Sequence, residues 1–223
     1  IMFLDFGVLI REPADVMIAD SASLAAIDAA EATQTPLFIH PPRAPIGSDS
    51  EMGQYKLDEL VGRPFDTAMG LARMILSGLF DRFPKLVVVV AHMGGGLLPV
   101  MGRLNFGFRL GSDGMPEHAK IKCKQLPSEY LKLLHVDTMG FWGPHLKQAV
   151  EVFGVDRVMF GTDFGPVPIS PKEHVDLVEA LPISAADKEK AKADAEKALA
   201  GPTEAGPSRL EQRRRRRTEE AAE

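Results

Sequence analysis

The sequence predicts an α/β fold in which helices cover a parallel sheet, and two features of the chain indicate this class. The first is a regular alternation of short apolar segments with longer segments of helical periodicity. The second is that the apolar segments are continuous runs without polar alternation, which is typical of parallel strands buried on both faces. A chain of 223 residues, 45% of them hydrophobic, is long enough to bury a sizeable core.

Five short segments bounded by breaking residues are predicted strands. In chain order they are FGVLI (6–10), PLFIH (36–40), LVVVVAH (86–92), LLHVDT (133–138) and RVMFGTD (157–163). Helical patterns cover residues 21–33, 66–83 and 144–153, and a further helix is expected to start near Leu97. Strands and helices therefore alternate along the chain, as they do in α/β proteins.

Composition and charge exclude several classes of partner. The formal net charge of −5 argues against nucleic acid, whose binding requires a basic excess on one face. The longest apolar run, residues 86–91, is far shorter than the roughly 20 residues of a membrane helix, so no membrane span is predicted. The single cysteine, Cys123, forms no internal disulfide and indicates a reducing compartment. We therefore expect a cytoplasmic protein that acts on small molecules.

The C-terminal region has a different character from the rest of the chain. Residues 201–223 contain Gly and Pro breaks, very few apolar residues and five consecutive arginines at 213–217. This composition predicts a disordered charged tail, and the acidic residues that flank the arginines favour a solvated segment over a nucleic-acid or anionic-surface site. One folded domain is predicted over residues 1–200.

Three of the predicted strands end in a side chain that suits metal binding or proton transfer. These residues are His40, His92 and Asp163. A single histidine at such a place is more often a hydrogen-bonded structural residue, but three at equivalent strand ends favour a site. In a barrel of parallel strands the loops at the C-terminal strand ends converge, so we expect the three to meet. The glycines of HMGGG allow a sharp turn and close approach to a ligand.

The remaining histidines are weaker candidates. His118 lies in a polar loop, His174 in a helical segment and His135 inside a strand, so each is expected to be structural or exposed. His145 follows FWGP in a loop after a strand and is kept as a weak site candidate.

Several motifs in this order resemble the amidohydrolase-related family, in its branch of aminocarboxymuconate semialdehyde decarboxylases. They are FIHPP, GRPFDTAMGLARMILSGLFDRFPKLVVVVAHMGGGLLPVMGRL, HVDTMG and RVMFGTDFGP. The resemblance implies a distorted (β/α)8 barrel, the TIM-barrel type of the metal-dependent hydrolase superfamily. The chain would carry about five C-terminal β/α units of it. The implied cofactor is a divalent metal, usually zinc, with manganese as the alternative.

The resemblance also implies roles for the strand-end residues. In the family, the histidine of an HP motif and the aspartate of a GTD motif are metal ligands. The corresponding residues in this sequence are His40 and Asp163. The family histidine of HxGG is the acid/base that activates the metal-bound water, here His92. In related decarboxylases, an arginine at the same spacing after the acid/base histidine binds the substrate carboxylate in a neighbouring subunit. Arg103 occupies this position here. A surface position for Arg103 is an equal alternative, and Arg43 is a weaker candidate for the same role.

One departure from the family bears on activity. Family members begin with a His-x-His pair that supplies two further metal ligands, and no such motif occurs in this sequence. A complete barrel also has eight strands and usually about 250 residues. We expect the domain to be incomplete at its N-terminus. We also expect zinc to be held poorly by His40 and Asp163 alone, leaving the chain by itself inactive.

The sequence and the resemblance together predict a metal-dependent decarboxylase of a small unsaturated or aromatic carboxylic acid. A metal-dependent hydrolase or hydratase of a ring-cleavage product is the alternative enzyme. A non-catalytic barrel fragment is the alternative from another class. The partner is a small-molecule carboxylate, and the full-length form is expected to be a homodimer or homo-oligomer.

Overall fold

Four parallel strands form one sheet in a computed structural model that describes residues 21–41, 51–163 and 171–189. The strands are β1 (Leu37–Ile39), β2 (Val88–Val90), β3 (Leu134–Asp137) and β4 (Val158–Met159). Their order in the sheet is the order in the chain, β1-β2-β3-β4. The register places Leu37, Val88 and Leu134 side by side, so the strands end at nearly the same level.

Helices connect the strands. They are α1 (Ser21–Thr33), α2 (Arg63–Leu76), α3 (Leu79–Arg82), α4 (Leu97–Leu110), α5 (Gly143–Phe153) and α6 (Pro171–Glu179). Short helical turns lie at Glu51–Lys56, Asp58–Gly62, His92–Gly94, Glu117–Ala119, Pro127–Leu133 and Val155–Arg157. In the described ranges no helix is both long and apolar enough to cross a bilayer.

One face of the sheet is fully buried, and the other face is partly covered, most completely at β2. Val88, Val89 and Val90 are all buried, although successive side chains of a strand point to opposite faces. Apolar residues of α2, such as Leu71 and Ile75, belong to the same core as the strands. This explains why the strand sequences read as continuous apolar runs, and it confirms the predicted parallel α/β class.

The structure corrects some predicted boundaries. Helix α1 has the predicted bounds and α5 begins one residue early, but the single helix expected over 66–83 is wrong. It is divided into α2 and α3 because Gly78 adopts a left-handed φ of 77°. A Cβ atom at Gly78 would lie 3.1 Å from the Lys122 carbonyl oxygen, so the chain turns where another segment packs closely.

Each of the four strands is shorter than predicted at both ends, and His40, His92, Thr138 and Asp163 follow the strands that they were predicted to end. The strand predicted over 6–10, the tail over 201–223 and Arg43 lie outside the described residues.

Candidate metal centre

Three strand-end residues meet at one edge of the sheet. His40 directly follows β1, His92 begins the turn after β2, and Asp163 lies a few residues beyond β4. Their possible ligand atoms all lie within 4.8 Å of one another. The structure thus brings together the three residues that the sequence analysis singled out, because parallel strands in register deliver their following residues to the same edge.

The side chains of the cluster are only partly covered. His92 Nε2 lies 3.6 Å from Asp163 Oδ2, and these side chains are 14% and 28% exposed. The rings of His40 and His92 meet edge to face, with centroids 5.1 Å apart. His40 Nδ1 lies 3.0 Å from the Pro41 carbonyl oxygen. Since a carbonyl can only accept, Nδ1 carries the proton in this contact and leaves the Nε2 lone pair of His40 for a ligand.

The backbone of the cluster is strained. His92, Met93 and Asp163 have φ angles of 58°, 53° and 50°, in the left-handed region that non-glycine residues avoid. This conformation costs roughly 1–2 kcal/mol per residue. Neighbouring groups therefore have to hold these residues in place.

Asp137, the last residue of β3, supplies such support. Its Oδ1 accepts hydrogen bonds from the backbone N–H groups of Met93 at 3.0 Å and Met139 at 3.1 Å. The backbone N–H of His92 also lies close to this carboxyl group and lowers its pKa. Asp137 was not among the predicted site residues, because it is the penultimate residue of the strand predicted over 133–138 and does not end that strand as Asp163 ends RVMFGTD.

Burial dominates the electrostatics of the cluster. It lowers the pKa of His92 to about 4, aided by the charge of His40 and opposed by Asp163. Burial also raises the pKa of Asp137 to about 7, with the N–H groups of Met93, His92 and Met139 acting against it. In the metal-free protein His92 is therefore neutral at pH 7 and available to accept a proton.

Two of the glycines after His92, Gly95 and Gly96, pack against the first turn of α2. Gly95 has a φ of 60°, and a Cβ atom there would lie 2.5 Å from the Pro64 carbonyl oxygen. The N–H of Gly96 donates to that same oxygen at 2.9 Å. The expected sharp turn is present, and the close backbone approach that the glycines allow is to the first turn of α2.

Arg103 is not part of the cluster. It lies exposed on α4 and, within the described ranges, makes no hydrogen bond or ion pair with His40, His92 or Asp163. The alternative cation, Arg43, is outside those ranges.

The other histidines also lie apart from the cluster. His118 is exposed, and His135 contacts Arg157 with Nε2 3.2 Å from Nη1. His174 is buried in α6, and His145 is partly buried on α5.

Comparisons with known proteins agree with this architecture. The sequence profile of a family described as Amidohydrolase matches residues 9–199. The chain is 34% identical over 145 residues to 2-amino-3-carboxymuconate-6-semialdehyde decarboxylase of Dictyostelium discoideum, which covers 65% of this chain and 38% of that protein.

Two solved structures are similar in fold. The 5-carboxyvanillate decarboxylase of Sphingomonas paucimobilis superposes with a TM-score of 0.68 at 30% identity, covering 81% of this chain and 53% of that one. A dihydroxybenzoic acid decarboxylase of a Polaromonas species, solved with bound manganese and the inhibitor 2-nitroresorcinol, gives 0.65 at 26% identity, covering 79% and 53%.

The chain spans about half, or less, of the length of these relatives. The predicted TIM-barrel type of α/β fold is confirmed by the likeness to these barrels. By the match over most of its length, the chain belongs to the amidohydrolase family.

Proposed function

We propose that this chain forms part of a metal-dependent decarboxylase that acts on a small unsaturated or aromatic carboxylic acid. The observation that carries the proposal is the convergence of His40, His92 and Asp163 at one sheet edge, within 4.8 Å of one another. The similar proteins named above are decarboxylases of such acids, which supports this reaction over hydrolysis or hydration.

The donor set fits a divalent cation. Imidazole nitrogens and a carboxylate oxygen are ligands that zinc and manganese accept, and His40 and Asp163 would hold the ion. When bound, such an ion polarises oxygen atoms of the substrate. We propose zinc, with manganese as the alternative since a similar structure contains it. Because the sequence lacks a His-x-His motif, we expect weaker binding than at sites with three or more protein ligands.

His92 is the proposed acid/base. Being neutral at rest, it first takes a proton from water or from an acidic hydroxyl of the substrate. It then protonates the unsaturated carbon that bears the carboxylate, and the π electrons of that carbon form the new C–H bond. As carbon dioxide leaves, the electron pair of the broken C–C bond restores the unsaturation.

Arg103 is proposed to bind the substrate carboxylate of a neighbouring subunit in a homodimer or larger homo-oligomer. Arg103, Phe106 and Leu110 are spaced to share one face of α4, and Phe106 and Leu110 are 61% and 69% exposed. Exposed apolar residues beside a guanidinium suit a subunit contact that also binds a carboxylate. Light scattering of the wild-type protein and of Arg103→Ala tests whether this surface is a subunit contact. The KM values of the two proteins test whether Arg103 binds the substrate carboxylate.

A cytoplasmic location is proposed from Cys123, whose thiol is free and buried. Cell fractionation followed by immunoblotting tests it, and recovery in a secreted or membrane fraction contradicts it.

The reaction is tested on the longest polypeptide that the gene encodes. We expect release of carbon dioxide from one or more members of a panel of carboxylated phenols and muconates in the presence of zinc or manganese. Addition of water without carbon dioxide release would identify a hydrolase or hydratase instead. No turnover, together with no bound metal, would favour a non-catalytic barrel fragment.

A further inference from the structure

We propose that Asp137, the last residue of β3, and Thr138, which follows it, are positioning residues that hold the His92 turn on one side and the Asp163 loop on the other. The inference rests on the proposed function, which gives His92 and Asp163 their chemistry. Neither Asp137 nor Thr138 is proposed to touch the reacting atoms.

Asp137 holds the turn that follows β2. In the left-handed turn at His92 and Met93, the Met93 N–H donates to the Asp137 carboxyl oxygen Oδ1 at 3.0 Å, and the His92 N–H lies close to the same group. The Met139 N–H, 3.1 Å from the same oxygen, fixes the carboxyl group from its own strand. Hydrogen bonds to this buried acceptor offset part of the cost of the strained turn.

Thr138 holds the loop that follows β4. Its Oγ1 accepts from the Gly161 N–H and donates to the Gly161 carbonyl, both at 3.1 Å, and the residue is 3% exposed. Gly161 lies two residues before Asp163. A Cβ atom on Gly161 would be 3.0 Å from the Asp137 Cβ, so the loop packs directly onto the end of β3.

The central position of β3 explains why this pair can act on both partners. β3 lies between β2 and β4 in the sheet, and the side chains of its last residue, Asp137, and of the next residue, Thr138, bond to opposite neighbours. The separation of His92 and Asp163 therefore depends on a strand that contributes neither of them. Groups that orient metal ligands and catalytic histidines from behind typically change activity or metal affinity about 10- to 100-fold when removed.

The first experiment uses hydrogen–deuterium exchange, which does not depend on activity. We expect Asp137→Leu, which keeps the branched shape and removes the acceptor oxygens, to speed exchange at residues 92–94 and to leave residues 161–163 unchanged. Thr138→Val should do the reverse, and Thr138→Ser, which keeps the hydroxyl, should restore wild-type exchange at 161–163. Thr33→Val, at an exposed threonine of α1, is the control for the added methyl group. Unchanged exchange at both segments in Asp137→Leu and Thr138→Val would overturn the proposal, and so would equal loss of protection throughout either variant.

The second experiment links positioning to function in the longest encoded polypeptide. Asp137→Leu should lower kcat roughly 10-fold with KM within about threefold and with metal content unchanged. Thr138→Val should weaken cobalt(II) binding, followed by its visible absorption, roughly 10-fold, and Thr138→Ser should restore it. Wild-type kcat in Asp137→Leu together with wild-type cobalt affinity in Thr138→Val would overturn the proposal. If wild-type protein decarboxylates nothing, the proposed function fails, and the exchange and cobalt results still decide whether the pair positions the two segments.

Discussion

His92 Nε2 lies 3.6 Å from Asp163 Oδ2, too far for a hydrogen bond and close enough for both groups to face one small ligand. The two residues follow different strands and are joined through β3, which lies between those strands. An imidazole that is neutral at pH 7 and a carboxylate beside it offer a proton acceptor and an anionic ligand in one place. Metal content, turnover and stability can test this arrangement separately.

Metal binding should stabilise the folded chain. An ion that binds only the folded state at 100 times its dissociation constant adds about 2.7 kcal/mol to the free energy of unfolding. We expect zinc or manganese to raise the melting temperature of the wild-type chain and a chelator to reverse the effect. His40→Ala and Asp163→Asn should abolish the shift, whereas the exposed His118→Ala should keep it. An equal shift in all four proteins would show that the ion binds elsewhere.

Replacing His92 should affect turnover rather than metal content. A general acid/base typically raises the reaction rate about 10²- to 10⁴-fold, so kcat of His92→Ala in the longest encoded polypeptide should fall by that factor. Metal content by elemental mass spectrometry should stay close to wild type, and His145→Ala serves as the matched control. Loss of the metal in His92→Ala would make His92 a ligand instead, as its place in the cluster also allows.

Gly95→Ala should destabilise the protein. The new methyl group would meet the Pro64 carbonyl oxygen at 2.5 Å, and the residue has a φ of 60°. We expect a loss of about 1–3 kcal/mol in urea unfolding, typical of overpacking. Gly102→Ala is the control: it lies in α4 with no atom within 4 Å of the added Cβ, and it should be neutral or stabilising by up to about 1 kcal/mol. Equal stabilities of the two variants would refute the close-approach explanation.

Tyr130→Phe should remove a buried hydrogen-bond network. The Tyr130 hydroxyl donates to Asp81, at 2.7 and 2.8 Å from its two oxygens, and accepts from the N–H groups of Lys124 and Gln125, each at 3.1 Å. The variant leaves these groups without that partner, so we expect a loss of about 1–3 kcal/mol at pH 7, measured by urea unfolding.

The same variant tests a pH dependence. Burial, and then the hydrogen bond to Asp81, raise the pKa of Tyr130 to about 12, whereas an unfolded tyrosine ionises near 10. The folded state holds this proton more tightly, so its contribution to stability is complete below pH 10 and is lost as the pH rises from about 10 to 12. The stability difference between wild type and Tyr130→Phe should shrink over that window. A difference that is constant up to pH 12 would contradict the assignment.

The sequence predicted the fold class and the strand positions because apolar residues concentrate in the buried strands, and in β2, where consecutive side chains are buried, they form the continuous run VVVV. It did not predict the break at Gly78. A glycine within an amphipathic pattern is compatible with a helix, and the close approach of Lys122 that makes a turn necessary is a contact between distant segments. The strand predicted over 86–92 was also too long, and the left-handed turn that begins at His92 is held by Asp137 of β3, another contact between distant segments.

In the candidate site, too, the sequence predicted some residues and missed those whose role depends on contacts between distant segments. His40, His92 and Asp163 could be found because their residue types carry chemistry and their positions follow strands. Asp137 could be overlooked because its partners are backbone N–H groups, which every residue but proline has and no motif marks. Arg103 was selected by its resemblance to a family arginine that acts in a neighbouring subunit, with a surface position as an equal alternative, and its exposed position on α4 is compatible with both, so its role stays a prediction.

The order of the strands in the sheet has a consequence during synthesis on the ribosome. Each newly emerging strand can add to the growing edge, because no later described strand is inserted between two earlier ones. His40 is thus delivered first, His92 second, and Asp163 with the final strand of this sheet. An ion that needs both His40 and Asp163 can be captured only after that last addition, so the nascent chain should acquire its metal late and should be most vulnerable to proteolysis before then.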